Sequence, residues 1–211
     1  MPNIFVASIP KAGTFYMMTL LENLGYDVRP YQYLASGQVL DWETDSKINY
    51  SEVADSVLCT HVAPRYMPKG DHITIFMHRD LKECCVSLAK WCKSTRQWGM
   101  VPRDLKGVAL TEYILSKHIE RYEKMIEKSI RWMSTDSGAV KVNYNDVDYG
   151  AVAKALGKTP ADIITASDQA LKMDSRTRSP KRSVISDKTW SPKCEQLFQH
   201  YLGGHYGKMG R

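Results

Sequence analysis

The 211-residue chain has no apolar run of the roughly 18 to 20 residues that a membrane-spanning helix requires. Its first residues lack a basic stretch followed by an apolar one, so the sequence predicts no secretory signal. The five cysteines form no C-x-x-C pair, and none of the six histidines stands at zinc-ligand spacing. We therefore expect reduced thiols, a cytoplasmic location, no metal and no membrane partner.

Positively charged residues are in small excess. Twenty-nine Lys and Arg residues against 23 Asp and Glu residues give a net charge of +6, which fits an anionic ligand but not a strongly basic tail. The sequence shows neither repeats nor the aromatic pattern of RNA-binding motifs, so we expect no nucleic-acid partner. Its length predicts one domain over residues 1–211 and leaves the oligomeric state open.

Short apolar segments alternate with helix-like segments along the chain. The basic, nonperiodic segment 174–190 predicts a loop, and residues 203–211 predict a flexible tail. The alternation predicts an α/β domain around a mostly parallel sheet. Strands are predicted at 3–8, 56–61, 72–77 and 139–143, and helices at 15–24, 80–93, 108–133, 147–156, 160–172 and from 191 onward.

The segment after the first predicted strand resembles an anion-binding turn. Gly13 precedes a helix whose first N–H groups have no intrahelical partner, and Lys11 and Thr14 add a charge and a hydroxyl. Lys11 stands before Gly13 rather than after a loop glycine, which disfavours a standard nucleoside-triphosphate loop. The alternative interpretation is an ordinary strand-to-helix turn.

Two further polar groups follow predicted strands, where ligands of parallel sheets bind. His61 ends the second strand and is either a general base or a histidine of the core. Arg79 ends the third strand, and Ser87 lies two turns into the next helix. The alternative for this pair is a surface arginine next to the capping residue Asp80 and an incidental serine.

Four segments together resemble the sulfotransferase family that uses 3′-phosphoadenosine 5′-phosphosulfate (PAPS). Residues 10–16 are similar to its P-K-S-G-T-T-W loop, and residues 60–64 to its K-T-H-L-P segment. Residues 79–87 match R-N-x-x-D-x-x-x-S at the family spacing, and residues 181–187 are similar to R-K-G-x-x-G-D. The segments also follow the family order along the chain.

The sequence departs from the family pattern at several positions. Most of its shortening falls between the first helix and His61, a region that helps to form the acceptor pocket in the family. The acceptor is therefore left open as a small molecule or saccharide that offers a hydroxyl or an amine. The substituted positions are Ala12 for Ser, Tyr16 for Trp, Cys59 for Lys, Asp80 for Asn, and Ser183 and Ser186 for Gly.

The resemblance implies a three-layer domain of the P-loop-containing nucleotide-binding type that binds PAPS and releases adenosine 3′,5′-bisphosphate (PAP) without a metal. It implies that Lys11, Ala12, Gly13, Thr14 and Phe15 hold the 5′-phosphosulfate. The 3′-phosphate would be held by Arg79, Ser87, Lys181, Arg182 and Ser183, and the adenine by Tyr16 and Tyr144.

For catalysis, the resemblance implies three residues. His61 would remove the acceptor proton, and Lys11 would stabilise the departing bridging oxygen. Ser87 is the third residue of the implied catalytic set. Two alternatives remain at this point. One is a P-loop nucleotide kinase, and the other is a non-catalytic relative that binds a nucleotide or polyanion.

Overall fold

The computed structural model describes residues 3–35, 38–41, 47–48, 55–95, 101–173 and 185–206. Lys181, Arg182 and Ser183, which the sequence assigns to the 3′-phosphate, lie outside the described residues, as does most of the predicted basic loop. The described strands are β1 (Asn3–Ser8), β2 (Asp27–Ala35), β3 (Gln38–Asp41), β4 (Lys47–Ile48), β5 (Ser56–Thr60), β6 (His72–His78) and β7 (Val140–Asn143).

The described helices follow the sequence prediction closely. A short 3-10 turn, Pro64–Tyr66, follows β5. The long helix predicted over 108–133 ends earlier and is followed by a separate short helix. The helices are α1 (Thr14–Asn23), α2 (Leu81–Thr95), α3 (Gly107–Ser129), α4 (Arg131–Ser134), α5 (Tyr149–Leu156), α6 (Pro160–Lys172), α7 (Pro192–Tyr201) and α8 (Gly203–Tyr206).

The strands form one sheet in the order β4-β3-β2-β5-β1-β6-β7. The pairs β2–β5, β5–β1, β1–β6 and β6–β7 are parallel, and β3 and β4 extend the sheet with antiparallel pairs. The prediction of a mostly parallel sheet is therefore confirmed. Because β5, β1, β6 and β7 are neighbours, the residues that follow them emerge at the same edge.

Strands β2 to β4 were not expected from the sequence. Pro30 lies inside β2 and has no N–H to donate, which makes this segment a poor candidate for a central strand. In the sheet, the pairing of β2 with β5 shifts register between Val28 and Tyr33, the interval that contains Pro30. This break in the pairing accommodates the proline. Strands β3 and β4 are too short to show a clear alternation of apolar and polar residues.

Two helical layers enclose the sheet. Helices α2, α3 and α7 share one apolar cluster, whereas α1, α5 and α6 share another. Side chains of β1 alternate between them: Ile4 and Val6 pack with the second cluster and Ala7 with the first. All six residues of β1 are buried. The predicted three-layer architecture is confirmed.

The described parts of the predicted loop and tail contain regular local structure. At the end of segment 174–190, the N–H groups of Thr189 and Trp190 both donate to the Ser186 carbonyl. The tail predicted from residue 203 begins instead with α8, next to the fully buried Leu202. Among the described residues, no helix is long and apolar enough to cross a membrane, and no group of three or more His, Cys, Asp or Glu side chains could hold a metal ion.

Candidate functional site

The strand order brings together the polar segments that the sequence singled out. The loop 9–13 follows β1, His61 follows β5, Arg79 follows β6 and Tyr144 follows β7. These four strands are consecutive in the sheet, with β1 and β6 in the middle. Residues far apart in sequence therefore meet where α/β sheets bind ligands.

The loop after β1 is held in an unusual conformation. Lys11 has a φ of 74° and Gly13 a φ of 101°, so two residues of the turn are left-handed. The buried Tyr122 hydroxyl of α3 donates to the Pro10 carbonyl at 2.8 Å. The N–H of Ala12 donates to the Ile9 carbonyl at 2.9 Å and is thus engaged within the turn instead of facing a ligand.

Anion donors at this loop come from the first turn of α1. The first helical hydrogen bond runs from the Met17 N–H to the Gly13 carbonyl. The N–H groups of Thr14, Phe15 and Tyr16 precede it and have no acceptor within the helix. These N–H groups, with the positive end of the helix dipole, suit an anionic oxygen.

The ring of Tyr144 lies directly against this loop. A Cβ atom built on Gly13 would stand 2.2 Å from Tyr144 Cδ2, so only glycine leaves room for the ring. Tyr144 meets Tyr16 edge to face, with ring centroids 5.5 Å apart. Tyr16 is only 6% exposed, and its hydroxyl lies 2.7 Å from Ser167 Oγ. Of the two residues predicted to contact the adenine, Tyr144 has the more exposed side chain, whereas the buried Tyr16 packs against the Tyr144 ring.

Arg79 is a buried cation with one edge of its guanidinium unused. The side chain is 5% exposed, and its Nε donates to Glu83 Oε2 at 2.6 Å. Its Cζ lies 4.9 Å from the centre of the Tyr144 ring. Within the described part of the chain, the buried Nη2 has no hydrogen-bond partner. An unpaired buried donor costs about 1–3 kcal/mol, which an anionic ligand would recover.

Glu83 and Asn145 belong to the same cluster, and the sequence reasoning missed both. Asn145 Nδ2 donates to Glu83 Oε2 at 2.8 Å, the oxygen that also accepts from Arg79. The four-residue spacing between Arg79, just before α2, and Glu83, in the first turn of α2, could have suggested their pairing. Asn145 gave no such signal, because its contact depends on the position of β7 beside β6.

His61 is oriented by β1. Its Nδ1 lies 2.9 Å from the Ser8 carbonyl oxygen and 3.1 Å from Ser8 Oγ. A carbonyl can only accept, so Nδ1 carries the proton and Nε2 presents a lone pair. Burial lowers the pKa of His61, and the charge of Lys11 lowers it further. The imidazole is therefore neutral at pH 7.

Lys11 lies over the face of a tryptophan of α2. Its Nζ is 4.9 Å from the centre of the Trp91 ring, in cation–π contact. Burial lowers the pKa of Lys11 to about 8, so it remains mostly an ammonium at pH 7. Ser87, half-buried, lies one turn before Trp91 on the same helix.

The chain that follows the undescribed basic segment is tied to α2. Trp190 Nε1 donates to Glu195 Oε2 at 2.8 Å, and Lys82 Nζ contacts the same oxygen at 2.9 Å. Lys82 is three residues beyond Arg79. The end of the basic segment is thereby anchored near the helix that begins beside Arg79.

Solved structures share this fold. One is mouse sulfotransferase SULT7A1 complexed with PAP, which is 13% identical; the match covers 98% of this chain and 86% of that one, with a TM-score of 0.61. Another is retinol dehydratase in complex with androsterone and inactive cofactor PAP, which is 14% identical. That match covers 99% of this chain and 82% of retinol dehydratase, with a TM-score of 0.61. No protein-family model matches the sequence, and no curated protein matches it. The chain has the sulfotransferase fold.

Proposed function

We propose that this protein is a sulfotransferase that transfers a sulfuryl group from PAPS to a hydroxyl or amine of a small-molecule or saccharide acceptor. The observation that carries the proposal is the buried Nη2 of Arg79, which has no hydrogen-bond partner among the described residues and lies beside the loop after β1. It is an unsatisfied cationic donor at the sheet edge where parallel α/β sheets bind ligands, and two solved structures with this fold contain PAP. Two anion-binding features side by side suit a nucleotide with two phosphate groups.

The residues present fit such a donor. The first-turn N–H groups of α1 and the Thr14 hydroxyl would bind the 5′-phosphosulfate next to Gly13. Arg79, just before α2, would bind the 3′-phosphate, together with Ser87 of α2. Tyr144 would pack on the adenine. The predicted contributions of Lys181, Arg182 and Ser183 to the 3′-phosphate stay part of the proposal.

The acceptor is activated by His61. Its Nε2 takes the proton of the acceptor as the new bond from the acceptor atom to sulfur forms. Bound PAPS supplies the sulfuryl group and leaves as PAP when the bond from sulfur to the bridging oxygen breaks. The neutral state of His61 at pH 7 makes it competent as a base, and the hydrogen bond to Ser8 fixes which nitrogen acts.

Lys11 stabilises the departing charge. For this role its ammonium turns from the Trp91 face toward the bridging oxygen, where negative charge develops in the transition state. The chemistry resembles phosphoryl transfer, in which positioning and electrostatic stabilisation provide most of the rate enhancement. Ser87, one turn before Trp91 on α2, completes the proposed catalytic set.

The state of the cysteines is consistent with a reducing compartment such as the cytoplasm. Cys59, Cys84, Cys85, Cys92 and Cys194 are all buried free thiols. Burial raises the pKa of Cys59 to about 12, which keeps that thiol protonated and unreactive.

Titration calorimetry with PAP tests the donor site directly. We expect wild type to bind PAP and Arg79→Ala to bind it about 10- to 150-fold more weakly, the range for a hydrogen bond to a charged group. Arg131→Ala is the matched control, because Arg131 is 47% exposed and pairs with Glu127 away from the site. Failure of wild type to bind PAP, or equal effects of the two substitutions, would refute the proposed donor site.

Transfer is tested with radiolabelled PAPS and a panel of phenols, alkyl alcohols, amines and saccharides. We expect labelled product with at least one class and its loss in Lys11→Ala and His61→Ala. PAP binding without transfer to any class would indicate a non-catalytic relative. Magnesium-dependent turnover of ATP in place of PAPS would indicate a kinase.

A further inference from the structure

The Glu83 carboxylate joins two side chains that each keep one polar atom unused. Oε2 of Glu83 accepts from Arg79 Nε at 2.6 Å and from Asn145 Nδ2 at 2.8 Å. Arg79 Nη2 and Asn145 Oδ1 are both buried and lack a hydrogen-bond partner among the described residues. Glu83 Oε2 thus holds two side chains, of which Arg79 keeps an unsatisfied donor and Asn145 an unsatisfied acceptor within the described part of the chain.

The orientation of the Asn145 amide follows from this geometry. An ionised carboxylate only accepts hydrogen bonds, so the NH₂ group must face Glu83 and the carbonyl oxygen must point elsewhere. The backbone supports the same arrangement, because the Asn145 N–H donates to Asn143 Oδ1 at 2.9 Å and the Tyr144 N–H donates to the His78 carbonyl at 2.9 Å. Asn145 Oδ1 is therefore an acceptor fixed in place before any ligand arrives.

The two unused atoms define the chemistry of a ligand. Arg79 Nη2 requires an anionic oxygen, whereas Asn145 Oδ1 requires an O–H or N–H donor close to that anion. A phosphate monoester with a hydroxyl on the neighbouring carbon offers both groups. In PAPS and PAP, the ribose 3′-phosphate has the 2′-hydroxyl beside it.

We propose that Asn145, oriented by Glu83, is a specificity-determining residue that accepts a hydrogen bond from the ribose 2′-hydroxyl next to the 3′-phosphate bound by Arg79. The inference rests on the proposed function and adds to it a selection for ribonucleotides over 2′-deoxyribonucleotides. A site that provides a fixed partner for a hydroxyl rejects the analogue that lacks it, because its own polar atom then stays unpaired.

The test is a thermodynamic cycle that uses calorimetry with PAP and with 2′-deoxyadenosine 3′,5′-bisphosphate. We expect wild type to bind PAP about 3- to 10-fold more tightly than the deoxy analogue, the range for one net hydrogen bond. In Asn145→Ala this ratio should fall to about 1. A purely structural effect through Glu83 and Arg79 would weaken both ligands by one factor and leave the ratio unchanged.

The control variant is Asp146→Ala, which changes the exposed neighbour of Asn145 and should keep the wild-type ratio. Asn145→Ser repeats the measurement should the alanine variant not fold. Binding of PAP with a ratio near 1 in wild type, or a ratio unchanged in Asn145→Ala, would overturn this inference and leave the proposed function standing. Absence of PAP binding to wild type would overturn both.

Discussion

Replacement of Gly13 by alanine tests whether the packing of Tyr144 on the loop shapes the donor site. The new methyl group would stand 2.2 Å from Tyr144 Cδ2, 2.8 Å from Cε2 and 3.0 Å from Cγ, so the whole ring edge must move. The φ of 101° adds strain of its own, because an L-residue is disfavoured there. The tyrosine ring also contacts Tyr16 and Arg79, which limits where it can go.

The chain offers a control with similar strain and no clash. Gly25 has a φ of 87°, and no atom of the described residues lies within 4 Å of a Cβ built on it. We expect Gly25→Ala to lower the free energy of unfolding by about 1–2 kcal/mol, the cost of a left-handed conformation. Gly13→Ala should lower it by about 1–3 kcal/mol more, the usual cost of overpacking. Urea unfolding of the two variants measures the difference.

A second variant assigns that difference to Tyr144. In a Tyr144→Ala background the ring is absent, so Gly13→Ala should cost no more than Gly25→Ala does in wild type. PAP affinity, measured by calorimetry, should fall in Gly13→Ala and stay at the wild-type level in Gly25→Ala. Equal unfolding free energies for Gly13→Ala and Gly25→Ala would refute the inferred packing of Tyr144 on the loop.

Three further results are expected from the geometry of the site. The value of kcat/KM should fall at acid pH with a midpoint below 6.5, because burial lowers the pKa of His61 and the base is lost only when it protonates. It should also fall above about pH 8 as Lys11 loses its proton, and Lys11→Arg should abolish this alkaline limb in a stopped assay. Tyr122→Phe should destabilise the protein by about 1–3 kcal/mol in urea, because the Pro10 carbonyl loses its buried donor. As the control for Tyr122→Phe, Tyr201→Phe removes a hydroxyl from the exposed contact with Glu120 and should change stability by less than about 0.5 kcal/mol.

Local sequence patterns predicted most of the regular elements. The uninterrupted apolar segment of β1 has no charged residue to keep it at the surface, and it is buried on both faces. Helix α6 begins where Thr159 and Asp162 cap each other, and α7 begins where Ser191 precedes Pro192. These signals depend on residues within about four positions of one another, so they can be read directly along the chain.

Strands β2 to β4 show where such local reasoning stops. The proline inside β2 argues against a strand, yet the two halves of β2 pair with β5 on either side of a register shift, and β3 pairs with its second half. This pairing is a long-range contact that local propensity does not encode. The sequence patterns accordingly identified the four parallel strands β5, β1, β6 and β7, but neither β2 nor the antiparallel strands β3 and β4 beyond it.

The same distinction between local sequence signals and long-range contacts applies to the candidate site. Motif spacing pointed to Lys11, His61 and Arg79 because each follows a strand that the sequence shows plainly. Their relation to one another was decided by the strand order, which places β1 between β5 and β6.

The contacts of Glu83 with Asn145 and of Gly13 with Tyr144 join residues 62 and more positions apart. Each exists because β7 pairs with β6 in one register, with His78 opposite Asn143. A shift of that register by one residue would turn the side chains of β7 to the opposite face of the sheet and displace Tyr144 and Asn145, which follow it directly. Only the tertiary structure could therefore show which polar atoms of this site remain without partners.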